Sequence, residues 1–479
     1  MRIGKRIALG SALPVVISLC VSLPLPSQQN GSAPGSSSSP PGTSGAKDPG
    51  VRAGSVNAGP PLSTLTSDQL QYFQDGQTRF QEVDQVVNGL GPTFNSNSCS
   101  SCHAQPALGG TSPASTQYPN IGPNPQMEAA TANGATNTIP FFITSDGPVR
   151  EARFPFVVNS SGSLSHTPDG GVHALFTIAG RQDAAGCTLA QPNFELMQQM
   201  NNLIFRIPTP VFGAGLIENI ADATILANMQ ENTVVKQQLS ITGHPNYSAN
   251  DGSITRFGWK AQNKSLEVFA GEAYNVEIGV TNELFPNERG NPPASCLLNP
   301  TPEDSTNFGM TSYQVPSDIV EFAHFMRFLA PPSPSTTGIP GNPPLAAVQN
   351  GQAVFTQIHC DMCHTPSLQT TTSKLTPGLS NQTAALFSDL LVHHMGAGLA
   401  DHVSQGSAGP DEFRTAPLWG LGQRIFFLHD GRSGPANGGL VHAIQQHASN
   451  GSEANSVVNL YNRLSQQEQQ DLLDFLRSL

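Results

Sequence analysis

Two short runs in this 479-residue chain carry its strongest chemistry: Cys99-Ser100-Ser101-Cys102-His103 and Cys360-Asp361-Met362-Cys363-His364. Both spell C-x-x-C-H. Two thiols at this spacing can add across the two vinyl groups of a porphyrin, and the adjacent imidazole then lies beneath the iron as proximal ligand. The chain holds 7 cysteines and 13 histidines. On that composition a single chance match is expected in roughly 0.3% of such chains, so two chance matches are not credible. Paired cysteines also serve zinc sites and dithiol redox motifs. Zinc gives no reason for a histidine directly after each of two distant pairs, and the βαβ setting of a thioredoxin-like motif is absent. The expected cofactors are therefore two covalently bound c-type haems, attached at Cys99, Cys102, Cys360 and Cys363, with His103 and His364 on the irons.

Such haems are attached outside the cytoplasm, and the amino terminus agrees with export. Arg2, Lys5 and Arg6 precede an apolar stretch from Ile7 to about Leu25, the pattern of a secretory signal over residues 1–27. Pro14 and Pro24 interrupt it, which suits a cleaved leader better than a permanent membrane helix. Cys20 is a conceivable lipid acceptor, although Leu19 before it is bulky for that role. The expected location is periplasmic or secreted, with membrane contact only through the leader or a lipid anchor. Setting aside Cys20 and the haem cysteines leaves Cys187 and Cys296, which suggest a disulfide, or else two separate buried thiols. Only 12% of residues are charged, Gly and Pro number 46 and 40, and the formal charge is −12. This describes a loop-rich chain and argues against nucleic acid as a partner.

The elements that must position these residues are partly readable. Residues 28–61 are rich in Ser, Gly and Pro and read as a disordered tether. Gly76-Gln77-Thr78-Arg79-Phe80 repeats as Gly351-Gln352-Ala353-Val354-Phe355, each in an expected helix running toward its C-x-x-C-H. Ser465 and Glu468 form a capping box, and Leu472, Phe475, Leu476 and Leu479 make one apolar face of a terminal helix. The expected fold is mainly α, with two cytochrome c-like haem domains over 62–335 and 345–479 joined by a linker at 336–344. The first carries a large loop-rich insertion, about 105–251, wrapping the first haem. That insertion contains some β, as at Ile139–Ile143 and Phe154–Val158, and helical runs at Phe194–Ile204 and Asp222–Gln230.

Further segments carry a resemblance. Asn95-Ser96-Asn97-Ser98-Cys99, Phe212-Gly213-Ala214-Gly215-Leu216-Ile217-Glu218 and Arg256-Phe257-Gly258-Trp259-Lys260 resemble the di-haem peroxidase superfamily, closest to its di-haem oxidoreductase ("thiol oxidoreductase-like") branch. So do Phe387-Ser388-Asp389 through His394-Met395-Gly396, Ala416-Pro417-Leu418-Trp419-Gly420 and Phe427-Leu428-His429-Asp430-Gly431-Arg432. The likeness implies one haem open to a small oxidant and one six-coordinate haem that relays electrons. For the second haem the sixth ligand lies among His393, His394, Met395, His402, His429, His442 and His447. The superfamily places it in the helix after the His-Asp-Gly turn, which favours His447, then Met395. For the first haem, no histidine lies between Ala104 and Ser165, where bacterial peroxidases carry a distal one. His166 and His173 fall within the insertion, so an open position is expected.

The resemblance also implies roles for other residues. Trp259 stands where the superfamily has a tryptophan between the haems, as a bridge or simply a core residue. Glu277 lies in a segment resembling the one with the distal acid, as a proton donor or a salt-bridged carboxylate. That segment is about two residues shorter here, with Phe269 where Gln is usual. From side-chain chemistry rather than the resemblance, Arg414 and Arg432 are candidate propionate partners, since a guanidinium pairs with carboxylates bidentately, or else ordinary surface arginines. His429, His393 and His394 are candidate supports of the second pocket. The expected function is an exported di-haem oxidoreductase that takes electrons from a small redox protein or small-molecule donor and reduces a peroxide-type oxidant. A non-enzymatic di-haem carrier and a haem-dependent oxygenase using dioxygen are the alternatives.

Overall fold

Two crossed helix pairs frame the two cysteine motifs. In the first, Ser67–Phe80, opened by a Thr66–Gln69 capping box, packs on Asp318–Phe328. In the second, Leu345–Gln357 packs on the carboxy-terminal helix Gln466–Ser478. The repeated pentapeptide explains both crossings. A Cβ at Gly76 would sit 2.2 Å from the Glu321 carbonyl oxygen, and one at Gly351 would sit 1.9 Å from that of Asp471. Only glycine permits such close backbones. One turn later, the repeat's phenylalanine reaches the histidine of its own motif, with Phe80 5.8 Å from His103 and Phe355 6.5 Å from His364 between ring centroids. Each also packs on a phenylalanine of the opposing helix, Phe325 at 4.8 Å and Phe475 at 5.6 Å. The Ser465–Glu468 capping box forms, and Leu472, Phe475, Leu476 and Leu479 are buried.

This computed structural model describes residues 45–55, 57–113, 122–307, 315–374 and 376–479. The expected leader, Cys20 and the tether as far as residue 44 lie outside them. Besides helices, the described residues form short antiparallel ladders, among them a three-stranded sheet with Glu151–Arg153 in the middle. Residues 45–479 cluster as a single unit. None of the described helices is long and apolar enough to cross a membrane.

Several local expectations differ from the structure. The tether is built into the fold from Gly45 onward: Asp48 pairs with Arg477 at 2.7 Å, and the Arg52 amide donates to the Gly422 carbonyl at 2.8 Å. These are polar attachments, which a search for apolar runs does not see. The helix at Phe194 stops at Gln199, since Asn201 turns to a φ of 53° and the chain re-emerges as the strand Ile204–Arg206. Ile139–Ile143 is a turn rather than a strand, closed by the Ile143 amide on the Pro140 carbonyl at 2.9 Å. The strand at Phe154 is shorter than expected, spanning Phe156–Val158, while Asp222–Gln230 is helical as read. Cys187 and Cys296 are disulfide-bonded. The insertion reaches beyond the first motif, because Ile241 lines the second cavity and Gly243 lies against His393.

Candidate functional site

Each cysteine motif opens into its own cavity. The first, about 1150 Å³ counting its mouth, is walled by Cys99, Cys102, His103, Trp259, Tyr274 and Glu277. The second, about 1490 Å³, is walled by Cys360, Cys363, His364, Met395, His429 and His447. All four thiols are free. His103 Nδ1 bonds the Gly110 carbonyl at 2.9 Å, and His364 Nδ1 bonds the Phe387 carbonyl at 3.0 Å. A carbonyl accepting from Nδ1 fixes the tautomer and leaves Nε2 as the free electron-pair donor, the arrangement a metal-ligating imidazole requires. Burial pushes both imidazoles down to about 4, so they are neutral and able to ligate.

In the second cavity His447 shares this arrangement. It caps the helix Gly439–Gln446, and its Nδ1 bonds the Ala443 carbonyl at 2.7 Å. The other candidates separate. His393 has both nitrogens engaged, by Glu453 at 2.8 Å and Asp389 at 3.0 Å. His394 pairs with Asp411 and His442 with Ser433, and neither these two nor His402 is in the cavity wall. His429 is in the wall, stacked on Phe413 at 4.2 Å, and Met395 is also there.

The first cavity is different in kind. Among the described residues its wall holds one histidine, His103. His173 lies elsewhere, stacked on Phe154 and paired with Asp169, and His166 is outside the wall. Carboxyls and guanidiniums converge there instead. The strand Glu151–Arg153 pairs Glu151 with Arg206 across the ladder, so the alternation of a strand puts Glu151, Arg153 and Arg206 on one face. Glu277 arrives from a single π-helical turn, Tyr274–Ile278, that extends the helix Leu266–Ala273. The turn ends at Gly279, where φ is 85° and a Cβ would lie 2.4 Å from the Thr93 carbonyl. Such π turns concentrate at functional sites.

Glu277 accepts from Asn95 Nδ2 at 2.8 Å and shares a hydrogen bond with Glu151. Burial, then the Glu151 charge, holds Glu277 well above the ordinary carboxylate range, so it keeps its proton. Burial acts in the same sense on Glu151, but Arg153 and Arg206 prevail and hold it below the usual range. One neutral and one ionised carboxyl thus share a proton. Sequence reasoning missed Glu151 and Arg153. Their signal was three charges, Arg150, Glu151 and Arg153, inside an apolar run of a charge-poor chain.

Trp259 stands between the cavities and lines both. Its indole Nε1 donates to the Ile207 carbonyl at 2.7 Å, and its ring meets His429 edge-on at 6.4 Å.

The walls fit haem on a further ground. Arg424 is buried in the second cavity's wall with Nε and Nη2 unpartnered, and Arg150 in the first has an unpartnered Nε. A buried guanidinium with open donors suits a carboxylate such as a propionate. Arg414 is in the second wall too, its Nε on the Gly258 carbonyl at 3.0 Å. Arg432 is outside both walls and pairs with Asp430. Arg424 was overlooked in the sequence, although it is the sole charged residue between Arg414 and Asp430.

No curated protein shows significant similarity to the chain. Among solved structures, hydrazine synthase from Kuenenia stuttgartiensis aligns over 95% of this chain and 100% of that one, at 14% identity and a TM-score of 0.34. A MauG-like protein associated with microbial copper homeostasis aligns over 88% and 91%, at 13% identity and a TM-score of 0.34. Residues 167–479, well over half of the chain, match the family described as "Di-haem oxidoreductase, putative peroxidase", and the chain belongs to that family of di-haem redox proteins.

Proposed function

We propose that this is an exported di-haem c-type oxidoreductase in which the His103 cavity reduces a peroxide-type oxidant with electrons received through the His364 side. The observation that carries this reading is Glu277, a carboxyl kept protonated in the wall of the His103 cavity beside an ionised Glu151. Bound haem supplies the change of oxidation state that a polypeptide cannot. Cys99, Cys102, Cys360 and Cys363 would hold it by thioether bonds. His103 and His364 would each give an imidazole nitrogen to its iron, and His447 would give a second one in the His364 cavity. Reduction of hydrogen peroxide to two waters consumes two electrons and two protons. Glu277 places one proton on the departing oxygen, and solvent supplies the second and reprotonates Glu277. Glu151, ionised beside Arg153 and Arg206, holds the Glu277 proton in place by their shared hydrogen bond. Trp259 shortens the electron path from the second site to the first. The electrons come from a small redox protein or small-molecule donor. The Cys187–Cys296 disulfide supports export to an oxidising compartment.

The test is magnetic circular dichroism and EPR of the ferric holoprotein with and without hydrogen peroxide. One high-spin and one low-spin haem are expected, and His447→Ala should convert the low-spin one. Glu277→Gln should keep the resting spectra and lose peroxide consumption by about 10²–10⁴-fold, the usual contribution of a positioned acid. Full peroxide consumption by Glu277→Gln would sink the reading. Met326, the thioether in the first wall, favours the electron-carrier alternative. Two low-spin haems, one lost in Met326→Leu, would establish it.

A further inference from the structure

We propose that Tyr274 is a redox-active tyrosine that gives one electron to the His103 cavity and its phenolic proton to Asp318. The proposal rests on the peroxide-reducing reading above and goes beyond it. Tyr274 lines the cavity, and its hydroxyl reaches two carboxyls outside the wall, 3.3 Å from Asp84 Oδ1 and 3.2 Å from Asp318 Oδ2. A phenol resists losing an electron unless a base takes its proton in the same event. Here a base is already hydrogen-bonded to it. Asp318 is the accepting partner: burial lifts its affinity for a proton, and Arg79 Nε, 3.2 Å from its other oxygen, favours the anion. Asp84 is deeper, and burial followed by the charges of Glu82 and Asp318 raises it to about 8, which keeps it protonated near neutrality. Tyr274 itself stays a neutral phenol, its acidity suppressed by burial and the neighbouring carboxyls.

The surroundings suit a radical. Tyr274 is 3% exposed, so its ring is largely shielded from water. It packs edge-on against Phe322 at 5.0 Å, Phe322 meets Phe80 at 6.2 Å, and Phe80 meets His103 at 5.8 Å. Arg79 is 41% exposed in its side chain, so the chain from phenol to Asp318 to Arg79 ends at solvent. One electron leaves the Tyr274 ring for the cavity, the phenolic O–H bond breaks, and the proton passes to Asp318 Oδ2, leaving a neutral tyrosyl radical. Hydrogen peroxide takes that electron and a second one from the external one-electron donor, with protons from Glu277 and solvent, and becomes two waters. A further donor electron, with the proton returned from Asp318, restores the phenol.

Freeze-quenched EPR of the ferric holoprotein mixed with hydrogen peroxide tests this, with the chain made in ordinary and in ring-deuterated tyrosine. The expected result is an organic radical signal that narrows on deuteration, vanishes in Tyr274→Phe and is lost or decays faster in Asp318→Asn. A signal insensitive to deuteration, or one unchanged in both variants, overturns the proposal while leaving peroxide reduction intact. Should Tyr274→Phe fail to take up haem, the labelled wild type and Asp318→Asn still decide. If peroxide leaves the haem absorption of the wild type unchanged, both this proposal and the reading it rests on fall.

Discussion

Asp84 shows how single residues near the first cavity are held out of their ordinary state. It is buried, faces Glu82 and Asp318, and is only partly relieved by Tyr274 and Arg79, so its folded value rises from 3.8 to about 8. Between those limits the folded chain keeps a proton that the unfolded chain has released. Stability from this group is therefore complete below 3.8 and declines as pH rises toward 8. Asp84→Asn, which keeps the shape without the titration, should flatten that part of the profile. Urea midpoints of both chains across this range measure it, and parallel profiles would refute the assignment. At this scale the sequence was most legible where residue type alone dictates chemistry. The C-x-x-C-H motifs needed no fold to be read. Glu151, Arg153, Arg150 and Arg424 were not legible in the same way, since an arginine in an apolar run does not announce which cavity it will face. Arg432 shows the converse: its motif position suggested a propionate partner, but Asp430, two residues away, claims its guanidinium.

Elements were legible where a local rule decides them. The repeat beginning at Gly76 and Gly351 predicted helices, and the structure supplies the reason: each glycine is the point where two helices touch backbone to backbone. A methyl group there has nowhere to go, because the obstructing atom is a carbonyl oxygen and not a flexible side chain. Gly76→Ala and Gly351→Ala should each cost about 1–3 kcal/mol or more by forcing the helices apart. Each should also disturb only its own cavity, through Phe80 and His103 in one case and Phe355 and His364 in the other. Chemical denaturation reads the cost, and the ferric optical spectrum reads the site. A destabilisation as small as that of an exposed helix position would contradict the crossing geometry. Elements failed to be legible where long-range contacts overrule local composition. The segment from Gly45 has a tether's composition, yet Asp48 finds Arg477 more than four hundred residues away and fixes it.

The whole molecule is tied together through charge as well as apolar packing. Arg206, from the first cavity's wall, pairs with Asp401 at 2.6 Å, and Asp401 also pairs with Lys260 at 3.1 Å. Lys260 is fully buried, donates to the Gly409 and Glu412 carbonyls, and lies over the Phe413 ring at 4.1 Å. Phe413 in turn stacks on His429 in the second cavity's wall. Trp259, next to Lys260, lines both cavities. The backbone repeats the connection, with the Ile207 amide on the His429 carbonyl at 2.7 Å and the Arg414 amide on the Trp259 carbonyl at 2.8 Å. A change at this shared seam therefore reaches the walls of both cavities. Haem-loaded protein should therefore unfold in one calorimetric transition, not as separate units over 62–335 and 345–479. Asp401→Asn strips the shared anion from two buried cations, so it should destabilise by about 3–5 kcal/mol and perturb the spectra of both haems together. Restoring much of that loss should need apolar replacement of Arg206 and Lys260 in the same chain, since a buried cation without its partner is what costs stability. Two resolved transitions, or an Asp401→Asn effect confined to one haem, would show that the seam does not couple the sites.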